Sequence, residues 1–123
     1  MTKKFKFFIA TILILFTILY MTYSMPLPFV SSIWNVDNNT LNNKFSLRHR
    51  IADGFILTER LIGVQKKDVQ KLLGIPPETG YFKKWDLVYY LGQERGFLGI
   101  DSEWLVLKID ENNKVVETRI VSD

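Results

Sequence analysis

An unbroken run of apolar side chains behind a short basic N-terminus constrains this chain more than anything downstream of it. Lys3, Lys4 and Lys6 precede residues 7–19, and no charged residue then appears until Asp37. Phe7, Phe8, Ile9, Ile12, Leu13, Ile14, Leu15, Phe16, Ile18 and Leu19 together favour insertion into a bilayer by roughly −3 to −6 kcal/mol. Residues 7–25 supply the ~20 positions that a helix needs to cross a hydrocarbon core. Tyr20 and Tyr23 stand near the far end, where amphipathic rings favour the interface, and Pro26 and Pro28 stop the helix just beyond. The lysines stay in the cytoplasm by the positive-inside rule, so everything after the run lies on the other side of the membrane. A cleaved secretory signal is the competing reading. Thr22 and Ser24 are small residues at the right place, but Ala-x-Ala is absent and Tyr23, Met25 and Pro26 crowd the site. Retention as an anchor is the expectation, and release after Ser24 the alternative.

With residues 1–25 given to the cytoplasmic lysines and the anchor, the chain holds one small domain. Its net charge of +3 comes from sixteen basic and thirteen acidic residues. The lysines at 3, 4 and 6 account for that excess, so the exported part is neutral. Nucleic-acid binding, which needs a basic face, is not expected. Cysteine is absent, so neither a disulfide nor a lipid-acceptor thiol is available, and stability must come from packing aromatic and aliphatic side chains.

Residues 35–43 contain Asn35, Asn38, Asn39, Asn42 and Asn43 with Asp37 and Thr40. So polar a segment buries too little surface to offset its ordering entropy, and residues 26–44 are read as an Asn-rich tether. Asn38-Asn39-Thr40 matches a glycosylation acceptor, a match that an Asn-rich stretch yields by chance. The domain is expected over 45–123. Ser46 is placed to cap a helix reaching about residue 59, with Leu47, Ile51, Phe55 and Ile56 on one face. A second helix over 66–73 turns Val69, Leu72 and Leu73 to one side, with Gly74 after its end and Pro76-Pro77 forbidding continuation. The period then changes to alternation. Residues 85–91, 103–109 and 114–121 read as strands, with Leu105, Leu107 and Ile109 on one face and Val116 and Ile120 opposing Glu117 and Arg119. One sheet face is expected to be apolar under the helices and the other substantially polar. Asp110-Glu111-Asn112-Asn113 supplies the second turn. Residues 92–102, with Gly92, Gly96 and Gly99, form a connection long for a hairpin, which marks a functional or floppy loop.

Leu61-Ile62-Gly63-Val64, Lys67-Asp68-Val69 and Leu72-Leu73-Gly74-Ile75-Pro76, followed by Tyr89-Tyr90-Leu91-Gly92 and Asp110-Glu111-Asn112-Asn113-Lys114-Val115, resemble the signature of SmpA/OmlA/BamE-type small envelope domains. The resemblance covers roughly residues 47–121. It implies an α+β fold, two helices packed on a three-stranded antiparallel sheet (ααβββ), shared with β-lactamase inhibitor proteins. It also implies a non-enzymatic binding or scaffold role at a bacterial envelope, the best-known members assisting outer-membrane protein assembly. The family's lipobox cysteine is missing here, which favours a transmembrane anchor over a lipid one. Only Gly63, Gly74 and Pro76 are carried over, as structural motif positions. Independently of the resemblance, Gly63 lets the chain turn between helices, Gly74 adopts a left-handed cap and Pro76 begins the crossing to the sheet.

Ser46, His49 and Asp53 fall on one face of the first domain helix, which invites a nucleophile, base and orienter assignment. Helical neighbours rarely provide triad geometry. Ser46 is therefore read as a cap, and His49 and Asp53 as solvated surface groups. One His and no Cys leave carboxylates for metals, and Asp101, Glu103, Asp110 and Glu111 lack a calcium-loop spacing. No catalytic residue, metal or cofactor is expected. Tyr81, Phe82, Trp85 and Phe97 are the candidate partner-binding residues, against an equal reading as core filling, with Lys83 and Lys84 near enough to meet acidic headgroups. The chain is thus expected to be a single-pass envelope protein that binds membrane lipid through its N-terminal helix and a protein partner through its domain. The alternatives are a secreted inhibitor-like protein, or a small ligand-binding or hydrolytic domain with residues 92–102 as a lid.

Overall fold

The structure is a computed structural model that describes residues 1–35 and 46–123, the Tyr23 side chain excepted. The Asn-rich stretch over 36–44 with its Asn38-Asn39-Thr40 acceptor, Phe45 and the interfacial reading of Tyr23 lie outside the described residues.

Helix α1 (Lys3–Ser24) begins where the Thr2 hydroxyl accepts the Phe5 N–H at 3.2 Å. Its Lys3–Thr22 portion is long and apolar enough to cross a membrane, and none of it is buried inside the protein. At 1.5 Å per residue its 22 residues reach roughly 33 Å. The polar side chains within the run are internally satisfied. Thr11, Thr17 and Thr22 donate their hydroxyls to the carbonyls of Phe7, Leu13 and Ile18 at 2.9, 2.8 and 2.8 Å, the arrangement that lets a hydroxyl sit in hydrocarbon without an unmet donor.

The domain consists of α2 (Ser31–Trp34), α3 (Leu47–Thr58), α4 (Lys66–Leu73) and the strands β1 (Leu87–Gln93), β2 (Ser102–Ile109) and β3 (Val115–Ser122). The strands form one antiparallel sheet in the order β1-β2-β3. This is the mixed α+β class with an apolar N-terminal helix and a three-stranded antiparallel sheet. Ser46 caps α3 by accepting the Arg48 N–H at 3.3 Å, and Gln65 leads α4 without a side-chain cap. Gly63 and Gly74 both have positive φ, at 82° and 85°. Gly74 differs from the expected left-handed cap, because its ψ of 172° puts it in the mirror-extended region open essentially to glycine alone. Its N–H still closes on the Gln70 carbonyl at 2.9 Å. In the second turn Asn113 takes φ 59°, and the Asp110 carboxylate accepts the N–H groups of Asn112 and Lys114 at 2.9 Å each.

The core lies between the helices and one face of the sheet, where Ile51, Ala52, Phe55, Leu61, Val69 and Leu73 meet Leu87, Tyr89, Leu91, Leu105, Leu107 and Val115. One of its central members comes from outside the expected domain. Residues 26–34, read from the sequence as part of a tether, are packed: the Leu27 N–H donates to the Arg50 carbonyl at 2.9 Å, Phe29 stacks on Phe55 at 5.9 Å, and Trp34 is completely buried. The reason is compositional. Leu27, Phe29, Ile33 and Trp34 carry ample apolar surface, and the polar run begins only at Asn35.

Two corrections concern the sheet. β1 begins at Leu87 rather than 85. The pairing shifts register between Lys108 and Ile109, so that Ile109 faces Val115. This bulge buries Val115 and leaves Val116 exposed, reversing the alternation at the start of β3, while Ile120 packs against the core as expected. The far face is also less polar than expected. Val106 there is fully buried, Trp104 meets Tyr90 edge-on at 5.0 Å, and the Arg119 guanidinium lies over Trp85 at 5.5 Å.

At Gly54 in α3 the chain after α1 passes directly against the helix: a Cβ built there overlaps the Leu27 carbonyl oxygen. Glycine to alanine in a helix ordinarily stabilises by about 1 kcal/mol. Gly54→Ala is expected to have the opposite sign and lower the thermal midpoint of the detergent-solubilised chain, whereas a rise would show that Leu27 does not dock there. Trp34→Ala is expected to cost about 3–5 kcal/mol in the same measurement.

Candidate functional site

Chemistry-bearing side chains gather at the end of the sheet where β1 and β2 are joined. Glu103 is the inward-facing residue at the start of β2, and His49 and Asp53 approach it from α3, one turn apart. Arg95, just past β1, ties them together. Its guanidinium donates to Asp53 at 2.6 and 3.0 Å and to Glu103 at 3.0 to 3.3 Å, and its backbone N–H donates to Glu103 Oε1 at 2.7 Å. Bidentate pairs of this kind hold geometry as well as charge. Burial works to raise the Glu103 pKa, but the bonds from Arg95 overcome it and hold the carboxyl below the ordinary glutamate value.

His49 is fully buried, which corrects its reading as a solvated surface group. In the neutral tautomer that donates from Nε2, it bonds the Gln93 carbonyl at 2.7 Å, with Glu103 Oε1 at 3.9 Å. Its Nδ1 is buried with no hydrogen-bond partner. Loss of solvation holds its pKa below the ordinary histidine value, against the opposing pull of the Gln93 carbonyl and of Glu103. The three residues that suggest a triad do not form one. Ser46 spends its hydroxyl on the Arg48 N–H, His49 turns to Gln93, and Asp53 turns to Arg95. The cluster is a clamp between α3 and the β1–β2 connection: the Arg95 guanidinium, the Asp53 and Glu103 carboxylates and His49 Nε2 are all directed at other protein groups, and His49 Nδ1 alone among them has no partner. Among the described residues, no group of three or more His, Cys, Asp or Glu side chains is arranged to hold a metal.

The expected partner-binding aromatics divide in two. Tyr81 and Phe82 join Trp104 on the far face of the sheet, at ring distances of 5.7 and 6.1 Å, and Tyr90 continues the stack. Tyr81 keeps 55% of its surface exposed. Phe82 holds φ 55° to bring its ring inward, and Trp85 is half-buried beneath Arg119. Beside them Pro76, Pro77, Glu78, Lys83, Asp86 and Val88 complete a groove of about 270 Å³, which is where Pro76 belongs in the structure. Tyr90 and Trp104 were missed as members of this surface. Their alternation within strands points to the far face, and only the packing of residues 81–85 over them reveals the plate.

Phe97 stands apart from this group. It is 99% exposed, with Leu98 at 74% and Ile100 at 77%, at the tip of the 94–101 loop. A side chain so exposed covers nothing beneath it, and the tip of the loop projects outward. Leu98 and Ile100, which the sequence reading passed over, share its exposure. Comparison with protein-family models, with curated proteins and with solved structures found no match.

The buried imidazole makes stability depend on pH in a definite direction. Below about pH 6.5 the unfolded chain binds a proton that folded His49 refuses, so stability falls as pH drops through that value. Glu103, with its folded pKa also lowered, adds a loss in the same direction at lower pH, as its carboxylate protonates. Melting curves between pH 7.5 and 5.5 should show this decline, and His49→Gln should flatten it; an unchanged slope in the variant would assign the decline to other groups.

Proposed function

We propose that this chain is a single-pass, membrane-anchored binding or scaffold module of the bacterial cell envelope that carries out no reaction. The observation that bears most weight is α1. Its apolar side chains are all turned outward, and the helix joins the domain without slack: Arg50 donates from Nε to the Met25 carbonyl at 2.8 Å, one residue past the helix. An exposed surface of this kind needs lipid around it. The lysines ahead of the run set the N-terminus in the cytoplasm and the domain on the periplasmic or extracellular side.

The proposed binding surface is the plate of exposed Tyr81 with the partly buried Phe82 and Trp104 and its flanking groove, because aromatic rings beside polar rims characterise protein interfaces. The helix-helix-sheet order that accompanies the SmpA/OmlA/BamE-type resemblance supports a scaffold role, as does the engagement of Asp53, Arg95 and Glu103 with one another. The partner proposed is an envelope protein, with lipid held by α1 and no role for nucleic acid or a cofactor.

Membranes from cells producing the full chain are expected to retain it after alkaline carbonate washing, with its N-terminus intact. Recovery of a soluble product beginning at Met25 would instead favour a secreted inhibitor-like protein. Photocrosslinking from position 81 should yield a discrete adduct that is lost in Trp104→Ala at unchanged melting temperature; no adduct from any position on the plate would remove it as the binding surface.

A further inference from the structure

We propose that the loop over residues 94–101 is a second membrane contact, inserting Phe97, Leu98 and Ile100 into the interface of the same bilayer that α1 crosses; the inference rests on the anchor reading of α1. The tip from 96 to 100 reads Gly-Phe-Leu-Gly-Ile and carries no charge, while Glu94, Arg95 and Asp101 stay at its base. That distribution suits an apolar wedge with its charged groups held at headgroup level.

The tip is exposed yet built. The Glu94 N–H donates to the Asp101 carbonyl at 2.7 Å, the Gln93 side-chain amide reaches the Gly99 carbonyl, and Arg95 is fixed to both Asp53 and Glu103. A loop stapled in this way loses little conformational freedom on binding. Gly99 has φ 57°, and a Cβ there would meet the Gln93 amide nitrogen at 3.1 Å and the Glu94 carbonyl at 3.3 Å, so the tip's shape depends on the glycine. The clamp of His49, Asp53, Arg95 and Glu103, which no reaction uses, thereby acquires a purpose: it holds the loop against α3.

Position favours lipid over a soluble partner. Pro26, directly after the anchor, lines one groove together with Asp53, Leu57 and Ile120, and Asp53 is the residue that grips Arg95 at 2.6 Å. One groove and one ion pair therefore separate the exit of α1 from the base of the tip. Leu57 in that groove is itself 74% exposed, adding apolar surface between them. With α1 in the bilayer, the tip meets lipid at the high effective concentration of a tethered site.

The native chain lacks cysteine, so single labels are clean. Full-length protein is reconstituted into phosphatidylcholine–phosphatidylglycerol vesicles with an environment-sensitive fluorophore at Phe97→Cys, at Leu15→Cys within α1, or at Glu111→Cys in the far turn. The expected result is blue-shifted emission at 15 and 97, quenching of the label at 97 by a lipid carrying a shallow nitroxide, and water-like emission at 111. Lipid-like emission at 15 with water-like emission at 97 overturns the proposal and leaves the anchor standing. Water-like emission at both overturns the anchor and the proposal with it. A blue shift at 97 without nitroxide quenching reports a protein contact and also overturns it.

Discussion

Trp34 is the side chain on which the arrangement of the domain depends. Its indole N–H donates to the Leu73 carbonyl at the end of α4 at 2.9 Å, its ring meets Phe55 and Tyr89 edge-on at 6.4 and 5.9 Å, and the Arg48 guanidinium lies 4.4 Å from its centroid. Arg48 also donates to the Trp34 carbonyl at 2.6 Å and to the Tyr90 carbonyl at 2.9 Å. One residue thus touches α3, α4 and β1, each by a directional interaction. A fully buried tryptophan brings both a large hydrophobic contribution and a donor that must be met. Here the donor is met by a helix-terminal carbonyl that has no partner of its own within the helix, and the neighbouring Gly74 carbonyl is taken by the Tyr89 hydroxyl at 2.7 Å.

The same packing orders the segment that follows α1. The chain between α1 and Trp34 is drawn along α3, with Leu27 against Gly54 and Met25 against Arg50. The aromatic plate lies on the other face of the sheet, facing away from the helices. The polar cluster ties the β1–β2 connection to α3 through buried His49 and Glu103 and the more exposed Arg95 and Asp53. Its bidentate geometry matters more than its net stability.

Local rules were readable where they act within a few residues. The Ser46 cap, the end of α4 at Gly74, the Asp110-to-Asn113 turn and three strands follow from side-chain chemistry and spacing, and the structure places them within a residue or two. The departures arise where distant segments meet. Trp34 was assigned to a tether because the asparagines that follow dominated the reading, and its burial depends on a cavity made by residues far along the chain. The reversal at Val116 comes from a bulge, one extra residue that no alternation pattern can contain. Helical spacing argues against a triad but does not tell whether His49 is solvated, and its burial comes from Gln93 and Glu103 at the far end of the sheet. Of the aromatic candidates, Tyr81 and Phe82 joined a plate whose other half, Tyr90 and Trp104, was legible only as strand.

By itself the sequence determined that the N-terminal run suits a bilayer, that two helices precede three strands, and where most of them begin and end. Those outcomes depend on apolar length, period and capping, all of which are local. Only the tertiary structure decided that Trp34 belongs to the core with Leu27, Phe29 and Ile33 packed against it, that His49, Asp53, Arg95 and Glu103 form one clamp, and that Phe97, Leu98 and Ile100 stand in the open. Burial is a property of what surrounds a side chain, and those surroundings are assembled from segments tens of residues apart.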